Sequence, residues 1–318
     1  MLKAGVIGAG HLGKIHLMLL KKTNGFNLVG FYDIDPLVSQ NVKKEFEVEA
    51  FEDADTLIKQ CDALIIVTPT LFHFDYACRA IKAGKHIFIE KPVTVSSAES
   101  KKLVQLAHEA GIIAQAGYVE RFNPAFLAGE PFVTRPVLID CQRISTYNPR
   151  GTDVSVVLDL MIHDINLVLH LVKSTIKKIS ATGSVVLCDT EDIAEARIEF
   201  DNGCVANLTA SRIASNNTRQ MNIFQKEGYL ALDFINKTAV YAEATKGEVP
   251  AGKTHVSFGD KNLVHNHLEV KPINAIAHEL QLFAESIKNK KVNGVTLDEA
   301  YLTMKVADEI LAVIKKGG

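Results

Sequence analysis

Residues 8–13, Gly8-Ala9-Gly10-His11-Leu12-Gly13, are the stretch on which the fold depends. They follow the apolar run Ala4–Ile7 and open a segment with apolar residues at three- and four-residue spacing, which indicates a strand leading into a helix. In such a turn the first glycine permits the tight bend, the second lets a pyrophosphate approach the backbone, and the third lets helix and strand pack. The pattern predicts a dinucleotide site at the helix N-terminus. The alternative is a β–α turn that only happens to contain glycines.

An acidic residue further along supports dinucleotide binding. Asp33 follows the second apolar run, Leu28–Tyr32, where a carboxylate would accept a hydrogen bond from the ribose 2′-hydroxyl. A carboxylate would also repel a 2′-phosphate, and no arginine follows within the next ten residues, so NAD is favoured over NADP. The alternative is that Asp33 caps the helix ahead of Pro36, a position that Asp35 could fill equally well.

Short apolar runs alternate with helical patterns up to about residue 117. This alternation is typical of β–α–β units on a mostly parallel sheet, and it predicts a doubly wound Rossmann domain over residues 1–118 in an α/β protein. The predicted strands are Ala4–Ile7, Leu28–Tyr32, Ala63–Val67, Ile87–Ile89 and Ile112–Ala114, and the predicted helices include His11–Lys22, Leu37–Phe46, Phe72–Ala83 and Ala98–Ala110.

The pattern changes near residue 120, where Glu120-Arg121-Phe122-Asn123-Pro124 begins a polar stretch. Partial alternation with turn signals then indicates a large, mostly antiparallel sheet, so we predict a C-terminal α+β domain over residues 119–318. Residues 244–262 are predicted to form a polar loop. The predicted strands are Ile176–Leu187, Ile193–Phe200, Val205–Ile213, Arg219–Gln225 and Tyr229–Phe234, and the predicted helices are Ser155–Val172, Ile273–Lys288 and Leu297–Lys315.

Composition and charge exclude several classes of protein. At 318 residues the chain is long enough for about two domains. With 47% hydrophobic and 23% charged residues it has the composition of a folded globular protein rather than a disordered or fibrous one. The net charge of −2 and the scattered lysine pairs argue against nucleic-acid binding. No stretch of 18 apolar residues appears, which argues against a membrane-spanning protein.

The cysteines indicate the compartment and exclude one kind of site. There are five, an odd number, and they are far apart with no Cys-x-x-Cys pair and no Cys/His cluster. This spacing predicts no metal site and fits a reducing, cytoplasmic compartment. The five are Cys61, Cys78, Cys141, Cys188 and Cys204.

Two of the predicted strands end in turns that contain proline. Thr68-Pro69-Thr70 follows Ala63–Val67, with His73 close behind, and Glu90-Lys91-Pro92 follows Ile87–Ile89. Ligands of open parallel sheets bind beyond the carboxyl ends of the strands, so these turns would lie at the rim of the cofactor crevice. A lysine there could bond a substrate hydroxyl and stabilise negative charge on its oxygen. The alternative is a solvated lysine after a strand.

Together these motifs resemble the Gfo/Idh/MocA oxidoreductases, the family of glucose–fructose oxidoreductase and inositol dehydrogenase. The resemblance rests on residues 8–13, Thr68-Pro69-Thr70 with His73, Ala83-Gly84-Lys85-His86 and Glu90-Lys91-Pro92, and it covers essentially the whole chain. It implies a Rossmann domain followed by an α/β domain with a large sheet. It also implies that Lys91 contacts substrate near the nicotinamide. The residues expected to bind the cofactor are Gly8, Gly10, His11, Leu12, Gly13, Asp33, Thr68, Pro69, His73, Glu90 and Lys91.

The predicted helix Ser155–Val172 is apolar almost all round but carries one polar stripe. At 100° per residue the stripe is about 80° wide, and Asp164 lies apart from it. Ionisable groups that are buried on such a helix must be paired or functional. The stripe consists of Ser155, Asp159, His163, Asn166 and His170.

Two members of this stripe are candidate catalytic residues. Asp159 and His163 lie four residues apart and could touch, which suits a carboxylate that orients a proton-accepting imidazole. The alternative is a hydrogen-bonded histidine at a helix–sheet contact. The family resemblance implies an Asp-x-x-x-His pair in which the histidine is the general acid/base, and this pair maps onto Asp159 and His163. Asn166 and His170 have no such support and are interpreted as satisfying their neighbours.

These residues predict hydride transfer between a secondary alcohol carbon of a sugar or cyclitol and the nicotinamide of NAD. His163 would take the hydroxyl proton, Lys91 would orient the oxygen and stabilise its charge, and Asp159 would orient His163. One alternative is imine or enone reduction, or redox-assisted cleavage of a glycoside, on the same frame. Another is a non-catalytic NAD-binding sensor. A sheet face left uncovered by helices predicts a homodimer or homotetramer.

The arginines suggest an anionic substrate. Seven of the eight lie between residues 121 and 219, and arginine is the preferred partner of phosphate and carboxylate groups. A nucleotide-linked sugar would fit, although outward-facing strand arginines are the alternative. Residues 119–124 and 150–153 resemble the branch of the family that oxidises the C3 hydroxyl of UDP-N-acetylglucosamine-type sugars. The seven are Arg121, Arg135, Arg143, Arg150, Arg197, Arg212 and Arg219.

Overall fold

The computed structural model describes residues 1–148, 154–246, 249 and 254–317. The chain forms two units, each built on its own β-sheet. Unit 1 comprises Met1–Val119 and Asn274–Lys305, and unit 2 comprises Glu120–Ile273 and Val306–Gly318. Unit 1 carries a mostly parallel sheet and unit 2 a mostly antiparallel one, which confirms the predicted fold class.

The helices and strands are numbered here in chain order. Short 3-10 turns lie at Val119–Phe122 and Glu130–Phe132, and a π-helical turn lies at Val157–Met161. The elements are β1 (Leu2–Ile7), α1 (His11–Leu20), β2 (Phe26–Tyr32), α2 (Pro36–Phe46), α3 (Ala54–Gln60), β3 (Ala63–Ile66), α4 (Thr70–Lys82), β4 (His86–Glu90), α5 (Ser97–Ala110), β5 (Ala114–Gly117), α6 (Pro124–Gly129), β6 (Pro136–Ile144), α7 (Ile162–Val172), β7 (Ile176–Ser184), β8 (Ile193–Phe200), β9 (Val205–Ser211), β10 (Thr218–Gln225), β11 (Gly228–Asp233), β12 (Thr238–Lys246), β13 (Thr254–Phe258), β14 (Lys261–His267), α8 (Ala275–Asn289), β15 (Val295–Thr296) and α9 (Leu297–Gly317).

The sheet of unit 1 has the order β15-β5-β4-β3-β1-β2. Strands β1 to β5 pair in parallel, and β15 adds an antiparallel edge strand beside β5. All four residues of β3 are buried, as is typical of parallel strands that are covered by helices on both faces. The carboxyl ends of β1, β3 and β4 therefore lie along one edge, which is where ligands of such sheets bind.

Helix α8 belongs to the core of unit 1 although it lies far along the chain. Its residues Leu280, Phe283 and Ile287 join the same buried cluster as Phe26 and Phe88. The Phe283 ring centroid lies 5.8 Å from that of Phe26 and 5.9 Å from that of Phe88. The units therefore differ from the predicted division into 1–118 and 119–318, because residues 274–305 pack with the N-terminal part of the chain.

The sheet of unit 2 has the order β13-β14-β12-β11-β10-β6-β9-β8-β7. Neighbouring strands are antiparallel except for the parallel pair β6 and β9. Its buried cluster joins alternating residues of β8 and β9 to the apolar side of α7 and the end of α9. Helix α7 is buried along most of its length, which explains why it reads as apolar almost all round.

Several predicted elements differ from the observed ones. The predicted loop over 244–262 is wrong for its described residues, because β12 continues to Lys246 and β13 and β14 follow at Thr254–Phe258 and Lys261–His267. All five residues of β13 are exposed at the edge of the sheet, so no buried alternation marks it as a strand. The predicted helix from Ser155 begins instead with the π-helical turn. Strands β6 and β12 and helices α3 and α6 were not predicted.

The described residues contain neither a membrane-spanning helix nor a cluster of metal ligands. No described helix combines the length and the apolar character that crossing a membrane requires. No group of three or more His, Cys, Asp or Glu side chains among the described residues is arranged to hold a metal ion. The five cysteines are all free thiols.

Candidate functional site

The turn between β1 and α1 uses its three glycines in different ways. Gly8 has a φ of +97°, and a Cβ atom placed on it would lie 2.8 Å from the backbone of Val67 and Thr68. A Cβ atom on Gly13 would overlap the carbonyl oxygen of Gly8, whereas one on Gly10 would meet nothing within 4 Å. Gly8 and Gly13 therefore allow the bend and the close packing, and the open space beside Gly10 is free for a ligand to approach the backbone.

The N-terminus of α1 is suited to bind an anion. Its N-cap residue is Gly10, so no side chain caps the first backbone N–H groups, and the first turn carries no acidic residue. These N–H groups and the positive end of the helix dipole would both stabilise a phosphate placed there.

Asp33 is tied to the glycine turn and is not the cap of α2. Its Oδ2 accepts a hydrogen bond from the Ala9 N–H at 2.7 Å, and its Oδ1 accepts one from the Asp35 N–H at 2.9 Å. The cap is Asp35, whose carboxylate accepts from the Leu37 N–H at 2.8 Å. The cap alternative for Asp33 is thereby excluded, and its carboxylate stands half-buried at the end of β2.

These residues line one cleft of about 550 Å³ in unit 1. That volume lies in the usual range for small-molecule and cofactor pockets, roughly 300–1,000 Å³. Ten of the eleven residues predicted to bind the cofactor line it, and Gly13 stands behind the turn against Gly8. The ten are Gly8, Gly10, His11, Leu12, Asp33, Thr68, Pro69, His73, Glu90 and Lys91.

The cleft also has an apolar wall that was not predicted from the sequence. Ile34 and Phe72 line it and remain 74% and 47% exposed. Tyr76 stacks beneath the Arg79 guanidinium at 5.2 Å and lies edge-on to Tyr32. An exposed apolar residue directly after Asp33 is a signal that could have pointed to this wall.

His73 connects the two turns that contain proline. Its Nε2 lies 2.7 Å from the carbonyl oxygen of Thr68, and its Nδ1 lies 2.8 Å from that of Pro92. Burial lowers the pKa of His73, which favours the neutral ring, and a neutral ring donates to only one of these two carbonyls. His73 therefore helps to hold Thr68 and the half-buried Lys91 at the end of the cleft.

Unit 2 carries the other two predicted catalytic residues. Asp159 lies half-buried in the π-helical turn, and His163, 9% exposed, lies in the first turn of α7. Single π-helical turns are frequent at functional sites. Because such a turn rotates less per residue than an α-helix, the predicted 100° spacing does not hold across it, and direct contact between Asp159 and His163 stays a prediction.

A buried ion network fixes α7 at the residue after His163. The Arg143 guanidinium donates to both oxygens of Asp164, at 3.0 and 2.7 Å, and to Glu120 Oε1 at 2.8 Å. Burial raises the pKa of Asp164 above its usual value, although the charge and hydrogen bonds of Arg143 act in the opposite sense. Arg219, whose side chain is half-exposed, lies 3.5 Å from the same Glu120 oxygen.

The remaining polar residues of the stripe bond to their neighbours. Asn166 Oδ1 accepts from Arg121 at 3.0 Å, and His170 Nε2 lies 2.5 Å from Glu130. The hydrogen bond with His170 lowers the pKa of Glu130. Asn166 and His170 therefore satisfy neighbouring groups, as interpreted from the sequence.

Most of the arginines described in unit 2 form ion pairs or hydrogen bonds with other residues of the chain. Arg121, Arg143 and Arg212 are buried, and Arg212 pairs with Asp192 at 3.0 Å. Arg197 faces outward beside Glu199, as the alternative interpretation expected. Arg150, with the rest of the segment 150–153, lies outside the described residues. The clustering of arginines along the chain thus reflects internal ion pairs to a large extent.

Comparison with known proteins places this geometry in a family. Residues 2–118 match the description "Oxidoreductase family, NAD-binding Rossmann fold", and residues 134–231 match the "GFO/IDH/MocA C-terminal domain". The chain is 32% identical over 302 residues to the UDP-N-acetylglucosamine 3-dehydrogenase of Acidithiobacillus ferrooxidans, covering 93% of this chain and 95% of that protein. The chain belongs to the GFO/IDH/MocA family. The resemblance inferred from the sequence motifs is thereby confirmed, and the protein is an oxidoreductase with an NAD-binding Rossmann domain.

Two further comparisons also cover nearly the full length of the chain. The scyllo-inositol 2-dehydrogenase (NAD(+)) of Bacillus subtilis is 28% identical over 326 residues, which cover 96% of this chain and 91% of that protein. The solved structure of the Acidithiobacillus ferrooxidans enzyme, GnnA, superposes with a TM-score of 0.91 at 29% identity, over 99% of this chain and 98% of that one.

Proposed function

We propose that this oxidoreductase transfers a hydride between a secondary hydroxyl carbon of a sugar or cyclitol and the nicotinamide of NAD. The observation that carries the proposal is the cleft of unit 1, where the glycine turn, Asp33 and Lys91 line one cavity. Groups suited to an anion, a ribose hydroxyl and a substrate oxygen therefore line a single pocket, which supports the binding of a dinucleotide and a hydroxyl substrate.

The residues of the cleft fit a nicotinamide dinucleotide. The uncapped N–H groups at the start of α1 would bind the pyrophosphate, and the Asp33 carboxylate would accept a ribose hydroxyl. When bound, the nicotinamide accepts the hydride that leaves the carbinol carbon. The space beside Gly10 is what a phosphate needs, since a side chain there would occupy it.

The residues of the chain itself would move the proton and stabilise the charge. Lys91 donates to the substrate oxygen and stabilises its negative charge as the alcohol is oxidised. His163 accepts the hydroxyl proton, since an imidazole titrates near neutral pH. Asp159 orients His163. Reduction of the ketone would use the same groups in reverse.

We expect NAD to bind in preference to NADP, because Asp33 places a carboxylate where a 2′-phosphate would need a cation. Asp33→Asn removes the charge while keeping an oxygen for the Ala9 N–H. The ratio of the dissociation constants for NADP and NAD should fall by on the order of tenfold, measured by titration calorimetry. Asp35→Asn is the matched control, since asparagine also caps helices, and it should leave the ratio unchanged. If Asp33→Asn and Asp35→Asn gave the same ratio of NADP to NAD dissociation constants, this role of Asp33 would be contradicted.

For the substrate we propose a UDP-N-acetylhexosamine that is oxidised at C3, supported by the 32% identity to a UDP-N-acetylglucosamine 3-dehydrogenase. A panel of UDP-sugars, free sugars and inositols would be screened for thermal stabilisation and for NADH formation. UDP-N-acetylglucosamine should give the fastest NADH formation, about tenfold or more above free glucose or inositol. Faster turnover of an inositol would support the cyclitol candidate, which the similarity to scyllo-inositol 2-dehydrogenase favours.

We further propose that the protein is a cytoplasmic homodimer or homotetramer. The five free thiols suit a reducing compartment. The edge strand β13 exposes Val256 and Phe258, at 62% and 87%, and such apolar groups are commonly covered by a second subunit. Light scattering coupled to size exclusion would give the oligomeric state directly.

A further inference from the structure

Three ionisable side chains lie behind the wall of the cofactor cleft. Glu90 lines the cleft at the end of β4, while His16 on α1 and Glu279 on α8 are each 0% exposed. The Nε2 atom of His16 lies 2.8 Å from Glu90 Oε1. A Cβ atom on Gly117 would lie 2.9 Å from the Glu90 carboxyl, so this glycine leaves room for it beside β5. Neither His16 nor Glu279 was predicted from the sequence to have a role.

His16 is placed to donate to Glu90 through its Nε2 atom. Its Nδ1 atom is buried and has no hydrogen-bond partner among the described residues. A hydrogen on Nδ1 would therefore be a buried donor without an acceptor, whereas a hydrogen on Nε2 meets Glu90 Oε1 at 2.8 Å.

The surroundings of Glu279 favour its uncharged form. Both of its carboxyl oxygens are buried, and no described side chain donates a hydrogen bond to either. Burial raises the pKa of Glu279 well above its usual value, and the negative charge of Glu90 raises it further, while the backbone N–H of Tyr118 acts in the opposite sense. Two neighbouring carboxyl groups do not readily ionise together, and of the two Glu90 is the one that has a hydrogen-bond donor and partial solvent contact.

We propose that His16 and Glu279 confine one negative charge to Glu90 and that this charge makes the cleft bind the oxidised cofactor in preference to the reduced one. The oxidised nicotinamide ring is cationic and the reduced ring is neutral. A fixed carboxylate in a partly enclosed cleft therefore stabilises the first without a comparable effect on the second. The effect is a difference in binding between two forms of one ligand, and it rests on the proposed binding of a nicotinamide cofactor in this cleft.

The test is to measure the dissociation constants of NAD⁺ and NADH by titration calorimetry, with no sugar present. In Glu90→Gln the ratio of the NAD⁺ constant to the NADH constant should rise by on the order of tenfold. By linkage this raises the midpoint potential of the bound two-electron couple by about 30 mV, because the oxidised form loses more binding than the reduced form. Glu90→Asp is the matched control that keeps the charge, and it should keep the ratio within about twofold.

A second variant tests where the charge lies. Glu279→Gln replaces one uncharged polar group by another and should leave the ratio unchanged. The proposal is overturned if Glu90→Gln leaves the ratio unchanged, or if Glu279→Gln shifts it as much as Glu90→Gln does.

Should circular dichroism show that Glu90→Gln does not fold, the pair Glu90→Asn and Glu90→Asp repeats the comparison with a shorter side chain. If neither nucleotide binds the native protein, the proposed cofactor site fails; if both bind with an unmoved ratio, only this inference fails.

Discussion

Replacing His163 with alanine is expected to lower kcat by about 10²-fold or more, because it removes the group that accepts the hydroxyl proton. Lys91→Ala is expected to cause a loss of similar size, because it removes the cation that stabilises the substrate oxygen. The dissociation constant for NAD should stay close to that of the native protein in His163→Ala, and the kcat of Lys91→Ala is compared at saturating NAD because Lys91 also lines the cofactor cleft. Initial rates of NADH formation, with calorimetry for NAD, would measure both quantities.

The control for His163 lies on the same helix. His170 is bonded to Glu130, so His170→Ala removes a histidine of α7 without touching the proposed chemistry, and kcat should stay within a few-fold of the native value. For Lys91 the conservative variant Lys91→Arg keeps the charge but changes its shape, and we expect partial activity. Unchanged turnover in His163→Ala or in Lys91→Ala would remove that residue from the proposed mechanism.

Replacing Arg143 with alanine is expected to lower the free energy of unfolding of unit 2 by about 3–5 kcal/mol. Arg143 is 2% exposed and bonds to both Asp164 and Glu120, so its loss would leave the buried Asp164 without its cation and Glu120 with only Arg219 at 3.5 Å. Urea denaturation followed by circular dichroism would measure the change. The turnover number should fall as well, since Asp164 anchors α7 beside His163.

Two further variants show whether the buried charge is the cause. Lys43→Ala removes an exposed ion pair with Glu49 and should cost less than about 1 kcal/mol. Adding Asp164→Asn to Arg143→Ala removes the carboxylate that has lost its cation and should recover part of the loss. A cost for Arg143→Ala as small as that for Lys43→Ala would show that this network contributes little to stability.

The features predicted best from the sequence are those that depend on residues close together in the chain. The turn Gly8–Gly13 needs a tight bend, an open backbone and close packing within six residues. Its three glycines meet these needs, and their spacing can be recognised in the sequence. The same holds for Asp33 and for the turns that contain proline, which follow strands whose burial is clear from their apolar runs. These local requirements explain why most of the residues that line the cleft could be named.

Contacts between distant parts of the chain could not be predicted in this way. Asp164 lay apart from the polar stripe and no partner was predicted for it, because Arg143 lies 21 residues away on β6. His16 and Glu279 occur in ordinary helical patterns, and nothing local shows that both are completely buried. Strand β13 was missed because an exposed edge strand has no buried face to generate alternation.

The packing of α8 in unit 1 has a consequence for how the protein folds during its synthesis. Translation adds about 5–20 residues per second, so α8 leaves the ribosome on the order of ten seconds after β5. During that interval Phe26 and Phe88 lack the ring of Phe283 that covers them in the finished unit. The nascent Rossmann sheet therefore carries uncovered apolar surface until the last fifth of the chain is synthesised, and it is during this interval that a chaperone would be needed.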